Sequence, residues 1–111
     1  MQLEAMRASL LGLSVGDAFG TMLDGCGAEL ARRAAKRLIS TRRPWRWTDD
    51  TAMAISIVEV LERLGTVDVD ALAEAFARRF AQEPGRGYGA GTYGLLSRVN
   101  LGTPWRDEVV R

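Results

Sequence analysis

Thr48-Asp49-Asp50-Thr51 sets two adjacent carboxylates and two hydroxyls at the head of an apolar run, flanked by Trp45, Trp47 and Met53. Crowded oxygen donors beside apolar neighbours suit one half of a site for a hard cation. The same four residues also suit a plain helix start, with a capping hydroxyl and acids in the first turn. Upstream, Gly16-Asp17-Ala18-Phe19-Gly20 holds a further acid between glycines. Downstream, Arg86-Gly87-Tyr88-Gly89-Ala90-Gly91-Thr92 can present backbone N–H groups to an anion. With no strand before it, this loop is a poor dinucleotide-binding candidate, and it serves equally as a turn between helices.

Composition narrows the chemistry. There is no histidine among the 111 residues, which removes a His-based triad and any Cys/His zinc cluster from what this segment supplies. The single cysteine, Cys26, cannot form an internal disulfide, which fits a reducing compartment, and no histidine stands ready to activate it. No Gly-Lys-Ser/Thr follows a glycine loop, so a P-loop is absent. The work must fall to carboxylates, hydroxyls, arginines and backbone groups. Arg32, Arg33, Lys36, Arg37, Arg42, Arg43 and Arg46 crowd one stretch and, with Trp45 and Trp47, could grip phosphates and stack a base. A net charge of +1 favours reading them as a solvated helix face and loop, so no nucleic-acid partner is expected. No apolar run approaches the roughly 20 residues that a bilayer demands. Glu4 and Asp17 bracket the first apolar stretch without a clear cleavage site, so a cytoplasmic protein is expected.

The elements that must position these groups read as helices throughout, and the expected fold is all-α. Leu3, Met6, Leu10 and Leu13 mark one face of a first helix, and Asp17 continues that rhythm. An acid on a stripe due for burial must be hydrogen-bonded or paired. Ala8, Gly12, Gly16 and Gly20 form a second row that suggests close backbone packing. Residues 28–38 suggest a second helix. From Thr51 to Val58 there is no charge, which marks a central helix ending near Leu64, with Gly65 as its stop. Asp68 or Asp70 then caps a helix anchored by Leu72, Phe76 and Phe80 and ended by Pro84-Gly85. A further helix after the glycine-rich loop carries Leu95, Leu96 and Val99. Thr103-Pro104 has the form of an N-cap with proline at the first helical position.

In this order, the three motifs resemble the ADP-ribosylglycohydrolase family, which includes the dinitrogenase-reductase-activating glycohydrolases. The resemblance rests on Leu10-Leu11-Gly12-Leu13-Ser14-Val15-Gly16-Asp17-Ala18-Phe19-Gly20, Trp47-Thr48-Asp49-Asp50-Thr51-Ala52-Met53 and Arg86-Gly87-Tyr88-Gly89-Ala90-Gly91-Thr92. It implies an orthogonal all-α bundle around a binuclear Mg²⁺ site, with Mn²⁺ an acceptable substitute, that hydrolyses the bond between ADP-ribose and a modified protein side chain or small compound. Carried over by position, Thr48, Asp49 and Asp50 become metal ligands and Gly87 a substrate contact. Asp24 falls where eukaryotic-type members carry a catalytic or metal-linked glutamate, and Asp17 is read as a structural acid behind the site. Family enzymes are much longer and complete the metal pair with an acidic cluster near their C-terminus. Asp68-Val69-Asp70 has the letters but reads better as a helix start. Residues 1–111 are therefore expected to be the N-terminal part of a single such domain, incomplete at the C-terminus and inactive alone. The competing expectation is a non-catalytic helical module that binds a partner, or a second copy, through uncovered apolar surface.

Overall fold

A 21-residue run without proline forms the first helix, α1 (Leu3–Leu23), in the computed structural model, which describes residues 3–23, 27, 29, 32, 36 and 46–109. The central helix α2 (Asp49–Leu64) follows, then α3 (Val69–Gln82), α4 (Ala90–Asn100) and the short α5 (Trp105–Val109). No strand occurs among the described residues, and the fold is all-α. The expected helix over 28–38, the basic run around it and Asp24 lie largely or wholly outside the described residues. No described helix is long and apolar enough to cross a membrane.

The stops follow the residue chemistry. Gly65 takes a φ of 73°, the left-handed conformation that ends a helix, and its N–H bonds to the Leu61 carbonyl at 2.8 Å. The Asp68 carboxylate caps α3 by accepting the Ala71 N–H at 2.8 Å. Asp70 instead accepts from the Trp105 indole at 2.8 Å and from Arg106 at 2.6 Å, tying α5 to α3. The Asp68-Val69-Asp70 pair is thus spent on helix architecture. Two boundaries differ from the expectation. α4 begins at Ala90, so Gly91 and Thr92 belong to its first turn rather than to the loop. α5 begins at Trp105, one residue beyond the expected proline start.

α2 lies centrally, packed against α1 on one side and α3 on the other. Its Thr51, Ala52, Ser56 and Val60 are buried. Small residues at this crossing let polar groups reach across it. Ser56 Oγ donates to the Ala52 carbonyl at 3.3 Å and receives the Arg79 Nε–H at 3.2 Å, while Arg79 also pairs with Glu59. The apolar centre forms between α3 and α4, where Ala77, Phe80 and Leu96 are buried beneath Phe76, Tyr88, Leu95 and Val99. The Phe80 ring meets Tyr88 and Tyr93 edge-on, with centroids 5.0 and 4.8 Å away.

α1 departs from its expected role. Of its described residues only Ala18 is buried, while Leu3 and Leu13 from the predicted stripe are exposed and Met6 and Leu10 are half-covered. Gly12, Gly16 and Gly20 are likewise not packing sites, because a Cβ on each would meet nothing within 4 Å. Gly16 and Gly20 instead line a cleft beside α2, and Ala18 is the described residue of α1 that is buried.

Candidate metal and substrate cleft

The site grows from the junction of α1 and α2. Thr48 occupies the N-cap position of α2 with extended backbone, yet its side chain caps nothing. Its hydroxyl donates to Asp17 Oδ1 at 2.7 Å, and its N–H donates to Asp17 Oδ2 at 2.7 Å. Thr51 adds its hydroxyl to Oδ2 at 2.6 Å and its amide at a long 3.4 Å. Asp17 is therefore the true cap of α2, supplied from another helix. Burial pushes its carboxyl up, but the hydrogen bonds from Thr51 and Thr48 outweigh this and hold it below the ordinary value of 3.8. An acid on a half-buried stripe is thus satisfied by hydroxyls and amides rather than by a cation.

Asp17, not Asp49 or Asp50, takes these hydrogen bonds. Neither carboxylate makes a hydrogen bond or ion pair with the described residues, although both sit in the first turn of α2, where the macrodipole favours a negative charge. Both line an open cleft of about 580 Å³ together with Gly16, Asp17, Gly20, Thr21, Thr48 and Gly87. Because Thr48 commits its one proton to Asp17, its oxygen presents only lone pairs elsewhere.

The glycine-rich loop closes the cleft from the third side. Asp49 N–H donates to the Arg86 carbonyl at 2.7 Å, and Gly87 follows at a φ of 84°, a conformation glycine adopts at little cost. A Cβ at Gly87 would stand 4.0 Å from that of Thr48. The Arg86 guanidinium lies 3.5 Å from the centroid of the Trp47 ring, donates to the Trp47 carbonyl at 3.2 Å and pairs with Glu83. Tyr88 anchors the loop to Phe80, and burial together with the negative charge of Asp49 pushes its hydroxyl up.

Of the residues predicted from sequence, Thr48, Asp49, Asp50 and Gly87 come together in one cleft. Asp24 lies outside the described residues. Among the described residues, no three His, Cys, Asp or Glu side chains gather in a metal-holding group. The donors present fit one face of a hard-cation site: two carboxylates that bond to no described residue and one hydroxyl oxygen with its proton turned away. Sequence reasoning missed the roles of Thr51 and Arg86. Thr51 stands three residues after Thr48, where a cap acceptor would be sought, and that spacing was the available signal. Nothing local in the sequence shows that Arg86 reaches Trp47.

An all-α arrangement with an acid-rich helix start facing a glycine loop defines the class, and comparison places the chain within it. The chain belongs to the ADP-ribosylglycohydrolase family, whose model matches residues 2–109. It is similar to the ADP-ribosylhydrolase ARH3 of Danio rerio, 30% identical over 105 residues, covering 89% of this chain and 28% of the fish protein. The ARH3 of Xenopus tropicalis is 32% identical over 102 residues, or 86% of this chain and 29% of the frog protein. An uncharacterized protein of Archaeoglobus fulgidus is 27% identical over 109 residues, or 92% of this chain and 36% of its own length. The chain thus spans less than a third of the ARH3 relatives. No solved structure matches significantly.

Proposed function

We propose that the α1–α2 cleft is the cation-binding half of an ADP-ribosylglycohydrolase centre, acting on ADP-ribose attached to a protein side chain or a small compound. Family membership supports the reaction type. The observation that carries the site is the pair of carboxylates, Asp49 and Asp50, that bond to no described residue and stand beside the Thr48 oxygen in one cleft. These three groups would hold Mg²⁺, or Mn²⁺ in its place, and two such ions make the binuclear site that the family reading implies. When bound, such ions supply charge that polarises ribose hydroxyls and lowers the pKa of a water.

The chain's own residues have distinct tasks. Asp17 holds the Thr48 side chain in one rotamer by taking its proton, so the ligand oxygen needs no reorganisation. Gly87 keeps the cleft mouth open and offers backbone to the substrate. Asp24 is the proposed base that orients the attacking water. Three protein oxygens fill only part of the six-oxygen shell that Mg²⁺ prefers. These three groups alone therefore hold a cation weakly, and activity is proposed to need further ligands beyond them. Isothermal titration should show weak Mn²⁺ or Mg²⁺ binding that the Asp49→Ala, Asp50→Ala pair abolishes. Identical heats for the two proteins remove the ligand assignment.

A second reading draws on the surface of α1, where Leu11 is 66% and Val15 49% exposed. Such a face favours a non-catalytic role in which α1 meets a partner or a second copy of the chain.

A further inference from the structure

We propose that Arg86 is a positioning residue that sets where Thr48 and Asp49 present their oxygens. The proposal rests on the cation reading of the cleft, and its test separates the two.

Two chain segments 39 positions apart meet at this residue. The Arg86 carbonyl accepts the Asp49 N–H at 2.7 Å, while the Arg86 side chain returns to the Trp47 carbonyl at 3.2 Å. The residues on either side of Thr48 are therefore gripped by one arginine, through its backbone on one side and its guanidinium on the other. The guanidinium also covers the Trp47 ring at 3.5 Å and is aligned from behind by Glu83 at the end of α3. Its side chain is only 20% exposed, so it is committed to these protein contacts rather than to a ligand in the cleft. Asp17 fixes Thr48 from the α1 side and Arg86 fixes its flanks from the loop side, leaving the helix start little freedom to rotate.

The geometry demands a planar, forked cation. Lysine would keep the charge opposite Glu83, yet a single ammonium cannot lie flat on an indole and reach a carbonyl at once. Charge alone therefore does not restore the clamp, which separates positioning from simple charge balance.

The test compares the 111-residue protein with its Arg86→Ala, Arg86→Lys and paired Asp49→Ala, Asp50→Ala variants. Isothermal titration with MnCl₂ reads the site, and amide hydrogen exchange reads Asp49 against Val60 in the middle of α2. Both Arg86 variants should bind Mn²⁺ about tenfold more weakly, as loss of a partner behind a metal ligand commonly does. The Asp49 amide should exchange faster, with Val60 unchanged. Should Arg86→Ala fail to fold, Arg86→Lys carries the test. Parental Mn²⁺ affinity in the Arg86 variants, with binding lost in the Asp49/Asp50 pair, overturns the positioning role and leaves the cation reading standing. A parent protein that takes up no Mn²⁺ removes the cation reading. Asp49 exchange then decides the clamp: acceleration supports it and parental exchange overturns it.

Discussion

Asp17 carries the heaviest polar load of any described side chain, with hydroxyls and amides of Thr48 and Thr51 converging on its two oxygens. Asparagine keeps one oxygen for the amides but loses the charge, and Thr48 would have to accept from its NH2 rather than donate. Asp17→Asn is expected to cost about 1–3 kcal/mol at neutral pH, the range for lost hydrogen bonds to a charged group. Urea unfolding measures it. The pH dependence follows from the direction of the shift. A carboxyl held below its ordinary value of 3.8 in the folded state contributes stability that is fully present above that value. That contribution disappears as the pH falls through the lower folded value. Parent stability should therefore drop below about pH 4, with a shallower drop in Asp17→Asn. An equally steep drop in both would show that other carboxylates dominate acid unfolding.

The helices were legible wherever local chemistry writes their limits. Gly65, Asp68 and Pro84-Gly85 mark stops and starts by conformation and hydrogen bonding within a few residues, and each boundary falls beside them. Gly65→Ala should cost about 1 kcal/mol, because a Cβ at a φ of 73° strains the backbone, and the thermal midpoint should fall accordingly. An unchanged midpoint would mean that α2 can end without its left-handed residue. α1 was less legible because its apolar rhythm says which side is greasy, not how much of it other elements cover. Ser56, Glu59 and Arg79 were likewise silent in sequence, since their contact bridges two helices. At the cleft, residue types marked Thr48, Asp49 and Asp50, the family resemblance added Gly87, and all four line it. The Thr48–Asp17 and Arg86–Trp47 partnerships join positions 31 and 39 apart, which no local spacing rule can link.

Taken as one body, the chain has a radius of gyration of 16.7 Å, larger than the about 13 Å of a compact domain of similar length. The difference goes with an apolar surface on α1 that no described element covers, including Leu11 and Val15. Sedimentation velocity should show concentration-dependent self-association, reduced by Leu11→Glu. A sedimentation coefficient flat with concentration would count against the interaction role of α1. The cap on α2 has a kinetic consequence as well. The first turn of that helix takes its acceptor from a residue 31 positions earlier, so it cannot be completed by local coiling alone. Closing so long an intervening stretch carries an entropy cost that falls due before the cap bonds can form, and preformed helices on both sides reduce it. During refolding, the cleft should therefore mature after the helices that frame it.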